Sequence, residues 1–188
     1  MITISGVVSD ETTLSNGIYV FEIKCKRKSG YYDEIPVMIS ENIIPKKWGL
    51  DLSGKSVKIT GEIHSRMENK HSAFYVNAES IEYCDKHGEN NVNLSGFICR
   101  TPNYKTTPTG REIADFMLAV ENETETNYIP CIAWKENAVL VSGLKNGDEI
   151  FINGRAQSRK YRKKTENIIE ERTAYEISVF DMEVLNEN

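Results

Sequence analysis

Long apolar runs are missing from this chain of 188 residues, and cysteine is scarce. No apolar run approaches the roughly eighteen residues of a membrane-spanning helix, and no charged-then-apolar leader opens the chain. The four cysteines (Cys25, Cys84, Cys99 and Cys131) lack the spacing of a disulfide framework, so we expect free thiols in a reducing compartment. These features predict a soluble cytoplasmic protein with no membrane association.

Catalytic and metal-binding patterns are also missing. The three histidines (His64, His71 and His87) all lie in the first half, and no serine or cysteine stands in a nucleophile motif. No glycine-rich loop of the phosphate-binding kind is present. Cys84 and His87 have a metal-like spacing, but no second pair of ligands follows them. The sequence therefore predicts neither an enzyme nor a bound metal or cofactor.

The chain also lacks an excess of positive charge. The chain has 23 basic and 28 acidic residues, which gives a net charge of −5. Nucleic-acid binders are usually basic, so the total argues mildly against such a partner. Local clusters matter more than the sum, because phosphates are bound by patches of cations.

What the chain does contain is an internal repeat. Gly54–Arg66 in the first half is echoed by Gly147–Arg159 in the second, and such self-similarity indicates a duplication. The polar segment Asp85–Asn93 is predicted to link the two copies. We expect a diverged N-terminal domain at 1–86, mainly structural or dimerising, and a C-terminal domain at 91–188.

Alternation of apolar and polar residues dominates each copy. Val57, Ile59 and Ile63 point to one side while Lys58 and Thr60 point to the other, which is the period of a half-buried strand. Similar runs occur near residues 2–9, 17–26, 33–40, 73–83, 92–99, 111–121, 127–134, 148–158 and 173–184.

Helix-like apolar spacing interrupts this pattern once in each copy, at Glu41–Leu52 and at Lys135–Leu144. Five strands with a helix between the third and the fourth is the plan of the OB-fold, a small Greek-key barrel. Gly61 and Gly154 fit places where a barrel strand bends sharply. We therefore predict an all-β protein of two tandem OB-fold five-stranded barrels, each with a short helix between strands 3 and 4.

The third strand of the second copy carries the first candidate binding residues. If Ile129 and Cys131 face the core, then Tyr128 and Trp134 stand on the outer face. Flat rings on the outside of such a barrel can stack nucleobases, at about 1–3 kcal/mol each. By the same alternation, Phe151 is predicted to face outward from its own strand. The alternative is that some of these rings pack at a contact between domains or subunits.

A cationic segment follows the fourth strand of the second copy and begins the predicted loop to the fifth. In OB-folds this loop often closes over single strands. The cations can attract phosphates, and Tyr161 among them can stack on a base. A solvated hairpin tip would also be charged, so that interpretation stays open. The six cations are Arg155, Arg159, Lys160, Arg162, Lys163 and Lys164.

The first copy has lost the three candidate stacking positions, where Glu34, Ser40 and Glu68 now stand. Two of these replacements are carboxylates that would repel phosphate, so we predict a mainly structural role for the first barrel. A secondary nucleic-acid contact is predicted in its loop between the second and third strands. The residues of that contact are Lys26, Arg27, Lys28, Tyr31 and Tyr32.

Residues 92–184 resemble the bacterial-type single-stranded DNA-binding protein family over nearly the whole second copy. The motifs that carry the resemblance are Asn93–Gly96, Thr107–Phe116, Tyr128–Trp134, Lys145–Arg155 and Ser158–Tyr161, and they occur in the family's order. Tyr104 and Arg111, beside and within the second motif, complete the predicted nucleic-acid-binding set.

The resemblance implies binding of single-stranded DNA with little sequence preference, in replication, recombination or repair, by a nucleoid-associated protein. Tyr128, Trp134 and Tyr161 match the family's stacking positions, with tyrosine in place of the commoner tryptophan at two of them. RNA stays open as a ligand, because stacking does not distinguish sugars well.

The resemblance also bears on assembly. Family members present four barrels per functional unit, so a homodimer of this two-barrel chain is expected. Replication or recombination proteins are the expected protein partners. The family's acidic tip is missing after the last strand, so we do not expect recruitment through such a tip.

A second hypothesis is an interaction protein. The net negative charge and the acidified first barrel favour a protein similar to primosomal replication protein n. Such a protein would dock on helicase or replisome components and would bind DNA only weakly.

Overall fold

The chain is built almost entirely from β-strands. The structure is a computed structural model, and it describes residues 1–9, 11–49, 51–68, 71–165 and 168–186. The strands of the first half are β1 (Ile2–Val8), β2 (Thr13–Ser15), β3 (Ile18–Lys26), β4 (Tyr32–Ser40), β5 (Ser56–Glu68) and β6 (His71–Tyr83). The elements of the second half are β7 (Asn90–Ile98), β8 (Asn103–Thr106), β9 (Glu112–Glu121), β10 (Thr126–Trp134), the helix α1 (Glu136–Ser142), β11 (Glu149–Thr165) and β12 (Ile168–Asn186).

Five strands of each half close into a barrel. In the first half, β1 pairs with β3 and β5, β5 pairs with β6, and β4 joins β3 to β6, with β4 and β6 parallel. In the second half, β7, β9, β10, β11 and β12 have the same set of pairings. The short strands β2 and β8 extend β3 and β9. The prediction of an all-β OB-fold architecture is confirmed.

Alternating burial fills the barrel interiors with apolar side chains and places one cysteine in each. Cys25 and Cys131 are only 1% and 3% exposed. Burial, reinforced by the nearby charge of Asp33, raises the pKa of the Cys25 thiol to about 12. Burial likewise raises the pKa of Cys131 well above its ordinary value. Both are free thiols, so they act as small apolar core residues.

The predicted helices have different outcomes in the two halves. The second half has a true α-helix, α1, within the predicted range. In the first half, the predicted segment Glu41–Leu52 forms only two 3₁₀ turns, at Glu41–Ile43 and Lys46–Trp48. Pro45 lies between the turns. Because proline lacks an N–H and disfavours a helical conformation at the residue before it, a continuous α-helix is interrupted there.

Each half extends its last two strands into a long hairpin. The β5–β6 ladder continues to Glu68 opposite His71, and the β11–β12 ladder to Thr165 opposite Ile168. The prediction of a loop after Arg155 was therefore wrong, since β11 runs on through the cationic segment. Cross-strand pairs of opposite charge, such as Arg162 opposite Glu171, favour this extension of the ladder.

Each of the two hairpins contains a β-bulge opposite the glycine that was expected to mark a bend. The register shifts between Thr60 and Gly61, and again between Asn153 and Gly154. A Cβ at Gly61 would lie 2.1 Å from the facing backbone oxygen, and one at Gly154 would lie 2.5 Å from its facing oxygen. Only glycine permits so close an approach of two backbones.

A strand pairing joins the two halves into one continuous sheet. β1 and β7 run antiparallel, with Ile2 opposite Val92 and Ile4 opposite Asn90. The segment expected to be the linker, Asp85–Asn93, is therefore partly strand, because its last residues add to the edge of β1. The remaining connection is short and polar.

Candidate nucleic-acid interface

The outer face of β10 presents the two predicted aromatic residues, as the alternation predicted. Ile129 and Cys131 are buried in the barrel, whereas Tyr128 is 49% exposed. Trp134 is only half-buried, and its Nε1 donates a hydrogen bond to Ser178 Oγ on β12 at 3.1 Å. Tyr128 is thus the more accessible of the two rings.

Tyr128 lies in a shallow groove whose walls come from both halves. Met117 on β9 and Arg100 stand on the side of the second half, and Arg66 and Met67 of β5 stand on the other. Met67 is 71% exposed. We call this surface the Tyr128 groove. It combines a flat ring, flexible thioethers and two guanidinium groups, which is a composition suited to a nucleobase with its phosphate.

The β5–β6 hairpin of the first half is hydrogen-bonded to the backbone of Tyr128. Tyr128 N donates to Ser65 Oγ at 3.0 Å, and Ser72 Oγ donates to Tyr128 O at 2.7 Å. At the preceding residue of β10, Asn127 Oδ1 accepts a hydrogen bond from Ser65 N at 2.6 Å. The first half therefore helps to position Tyr128, a role that the sequence did not reveal.

A second groove lies beside the β11–β12 hairpin. It is lined by Arg159 and Tyr161 of β11, Arg172 and Tyr175 of β12, and Pro130 of β10. The Arg159 guanidinium lies 5.8 Å from the centroid of the Tyr161 ring. We call this surface the hairpin groove. Because Pro130 is two residues from Tyr128 on the same outer face, the two grooves are neighbours along β10.

The predicted cations of β11 are divided between solvent and ion pairs. Arg159 lies 3.6 Å from Glu176, and Lys160 lies 3.5 Å from Glu34 of the first half. Both cations are more than half exposed, so these pairs are weak and can exchange for phosphate. Arg162 is exposed as well. The side chains of Lys163 and Lys164 lie outside the described residues.

Arg155 is placed differently from the other predicted cations. Its Nη1 donates to Asp33 Oδ2 at 2.9 Å, and Asp33 also accepts from Arg27. Burial lowers the pKa of the Arg155 guanidinium, and the attraction of Asp33 only partly opposes that effect. The hydrogen bond to Asp33 raises the pKa of Arg27. These two arginines therefore lie at the junction between the halves, outside both grooves.

The other predicted residues are scattered. Phe151 is half-buried on β11, and Tyr104 is 41% exposed on β8 with its hydroxyl donating to Glu112 at 2.6 Å. Arg111 is exposed at the turn after β8. None of these three lines the Tyr128 groove or the hairpin groove.

In the first half, the predicted secondary contact forms one exposed edge. Tyr31 and Tyr32 are 73% and 56% exposed, and Lys26 and Lys28 are exposed beside them. Arg27 is the exception, since it is held by Asp33. Its three cations line a pocket together with Arg155, whereas Tyr31 and Tyr32 do not line it.

Residues of these surfaces that the sequence reasoning missed are Arg66, Met67, Arg100, Met117 and Arg172. Two of them had a usable signal. Arg66 is the repeat equivalent of Arg159, and the alternation of β9 places Met117 on the same outer face as Tyr128.

Two further findings concern other classes of site. Among the described residues, no group of three or more His, Cys, Asp or Glu side chains is arranged to hold a metal ion. No helix in the described part of the chain is both long enough and apolar enough to span a membrane.

Comparison with known proteins matches the second half to a protein family. The model of the Single-strand binding protein family matches residues 89–185. A single-stranded DNA-binding protein of Halalkalibacterium halodurans is 36% identical over 80 residues, which are 38% of this chain and 48% of that protein. Single-stranded DNA-binding protein 1 of Staphylococcus aureus matches with the same figures. The chain thus spans about half the length of the curated relatives it matches.

Solved structures extend the likeness to the whole fold. The wild-type single-stranded DNA binding protein from Thermus aquaticus has a TM-score of 0.73 and 22% sequence identity, covering 100% of this chain and 93% of that one. A deletion mutant of the same protein gives the same TM-score at 23% identity. These likenesses do not favour the primosomal alternative. With a family model that matches more than half of its residues, the chain belongs to the single-strand binding protein family.

Proposed function

We propose that the chain binds single-stranded DNA with little sequence preference, mainly through the second half. The observation that carries the proposal is the exposed ring of Tyr128, set in a groove between Met67, Met117 and two arginines. Bases stack on this ring and on Tyr161 in the neighbouring groove. Trp134 contributes one partly exposed face.

Phosphates are bound by the exposed cations of the β11–β12 hairpin. Arg159, Lys160 and Arg162 are accessible along one strand, whereas Arg172 on the other strand is half-buried and paired with Glu170. Each phosphate that a cation neutralises releases counterions, so the affinity falls steeply with salt. Sequence preference is weak because every base offers a π-face to a ring.

Tryptophan fluorescence tests the proposal directly. The chain has two tryptophans, Trp48 and Trp134, and Trp48 packs partly against the first-half core. In a Trp48→Phe background, emission reports on Trp134 alone. We expect oligo-dT to quench it at low salt and micromolar protein. Unchanged emission, together with no retardation of a labelled oligonucleotide, would contradict the proposal.

The same titration with oligo-U compares RNA with DNA. Stacking and phosphate contacts favour neither sugar strongly, so we expect affinities within about tenfold of each other. A much larger preference would require contacts to the sugar that the proposal does not include.

Domain organisation and assembly belong to the proposal as well. We propose that 1–86 and 91–188 are separate domains that arose by duplication and that two chains form a homodimer with four barrels. Such a dimer would act in replication, recombination or repair. Light scattering after size-exclusion chromatography, with and without oligo-dT, tests the assembly. A mass of one chain in both conditions would contradict the homodimer.

A further inference from the structure

A pocket of about 540 Å³ lies at the junction between the two halves, away from both grooves. Its lining includes Lys26, Arg27 and Lys28 from the first half and Arg155 and Phe180 from the second. We call this surface the basic junction. The pocket is distinct from the stacking surface of β10, since neither Tyr128 nor Tyr161 lines it.

The charges of the basic junction do not cancel. Asp33 binds both Arg27 and Arg155, so one carboxylate faces two guanidinium groups. The other lining carboxylate, Glu89, lies 3.1 Å from Lys58, which is outside the pocket. Lys26 and Lys28 are exposed and add two more cations. The lining of the pocket therefore carries an excess of positive charge, which attracts an anion.

Phe180 supplies an aromatic ring to the same pocket. It stands at the β-bulge of β12, between Val179 opposite Gly154 and Asp181 opposite Asn153, so it has no cross-strand partner of its own. Phe180 is 55% exposed, although large aromatic residues are usually buried. An exposed ring beside four cations is the combination that binds an unpaired base with its phosphate.

The opposite end of the interface between the halves shows that the fold does not require this chemistry. By strand register, Glu121 and Glu123 of the second half are the counterparts of Lys26 and Lys28 of the first half. At the bulges, Glu62 and Glu79 of the first half are the counterparts of Arg155 and Phe180 of the second half. We call these four glutamates the acidic junction. Ile2 of β1 lies opposite Gly61, which is next to Glu62 and opposite the bulge at Glu79, so the two carboxylates stand near the same end of the sheet.

We propose that the basic junction binds a second segment of the same single-stranded DNA, with a base against Phe180 and phosphates on Lys28, Arg27 and Arg155. This inference rests on the proposed function. Arg155 and Tyr161 lie six residues apart on β11, a separation of about 20 Å. A strand that leaves the hairpin groove along β11 therefore reaches the basic junction, whereas a strand confined to the grooves does not.

Oligonucleotide length separates the two sites. One OB-fold barrel covers about 4–16 nucleotides, so an oligo-dT of about 8 fits within the grooves and one of about 30 extends beyond them. We expect Phe180→Ala to weaken binding of the long oligonucleotide by about fivefold to a hundredfold and to leave the short one unchanged. The matched control is Glu79→Ala at the acidic junction, which should change neither affinity.

Salt dependence gives a second, independent readout. Lys28→Ala should reduce the salt dependence of long-oligonucleotide binding by about one phosphate contact, whereas Glu123→Ala should not reduce it. All four residues are exposed, and circular dichroism will check that each variant remains folded.

Each outcome has one meaning. If the wild-type chain binds neither oligonucleotide, the proposed function fails and this inference fails with it. If the short oligonucleotide binds normally and Phe180→Ala binds the long one as tightly as wild type, only the basic junction is refuted. If Phe180→Ala or Lys28→Ala loses binding to a poly-glutamate probe but binds long oligo-dT as wild type does, the proposed DNA site is likewise refuted. The basic junction is then a protein-docking site.

Discussion

The two hairpins cross to the opposite half in the same way but with different chemistry. In one crossing, Ser158 N donates to Asp33 Oδ1 at 2.9 Å and Glu34 N donates to Ser158 Oγ at 2.9 Å. In the other, Ser65 makes the equivalent pair of bonds with Asn127 and Tyr128. The fold thus needs a serine and a short side-chain acceptor at each crossing. It does not need a charge there.

The difference lies in what surrounds the acceptor. Asp33 is almost fully buried and is held by Arg27 and Arg155. Asn127 is equally buried, but its Nδ2 has no hydrogen-bond partner in the described structure. The Asp33 crossing is therefore an ionic clamp, whereas the acceptor of the Asn127 crossing is a neutral amide. The neutral crossing lies beside the proposed DNA-binding ring of Tyr128.

Replacing Asp33 with asparagine should cause the largest loss in the free energy of unfolding among the changes at the two crossings. The amide keeps the shape but removes the charge that compensates two partly buried guanidinium groups. Breaking a buried ion pair costs about 3–5 kcal/mol, and the partial exposure of both arginines places the expected loss at about 3 kcal/mol. Urea unfolding measures it, with the slope of the transition compared to detect changes in the unfolded state.

A loss below about 1 kcal/mol for Asp33→Asn would show that the arginines find water instead. The ionic clamp would then be a surface pair of ordinary strength, and the contrast between the two crossings would disappear.

Tyr128→Ala should weaken oligo-dT binding by about 1–3 kcal/mol, the energy of one stacked base. The position equivalent in the first half is Glu34, so Glu34→Ala is the matched control. That change removes a carboxylate and should leave affinity the same or slightly tighter. Tyr128→Phe should bind almost as wild type, because the ring and not the hydroxyl does the stacking. Fluorescence anisotropy of a labelled oligonucleotide measures all three.

Equal losses for Tyr128→Ala and Glu34→Ala would contradict the assignment of binding to the second half. The two barrels would then contribute alike, despite their different outer faces.

Asn127→Ala should cost less than the change at Asp33. It removes the acceptor of Ser65 N and so leaves one buried donor unsatisfied, which costs about 1–2 kcal/mol. The unpartnered Nδ2 disappears in the same change and offsets part of that loss. Urea unfolding measures the stability. A destabilisation as large as that of Asp33→Asn would show that the absence of charge does not make this crossing the weaker one.

The sequence predicted the barrels and the orientation of β10 because both depend on local alternation. Ile129 and Cys131 point inward for the same reason that Val57 and Ile59 do. The repeat also identified Glu34 as the counterpart of Tyr128. These inferences need only the period of a strand and the register between the copies.

The crossings of the hairpins had no local signal. Ser65 and Asn127 are far apart in sequence, and a serine within a strand is an ordinary polar residue until the other half is placed beside it. The extension of β11 was missed because its residues are nearly all polar, and opposite-charge pairing with β12 replaces the apolar pattern. The long-range partner, and not the residue type, decides both features.

The smallest expected difference between the halves is in the free energy of opening, which thiol labelling measures for each barrel. Cys25 and Cys131 are buried in separate barrels, and their raised pKa values keep the folded thiols protonated, so each reacts only when its own barrel opens. β1 and β7 form one continuous sheet and the hairpins clamp the barrels together, so both should open in the same global event. Pulsed labelling in urea at pH 7.5 measures each opening energy.

We expect the two opening energies to agree within about 0.5 kcal/mol. The pH matters, because a thiol whose pKa is raised in the folded state loses its contribution to stability as the pH rises past its pKa in the unfolded chain, about 8.5. Work below that value keeps the contribution constant. If Cys25 becomes reactive well before Cys131, then the halves unfold separately, and the clamp at Asp33 orients the barrels without coupling their stability.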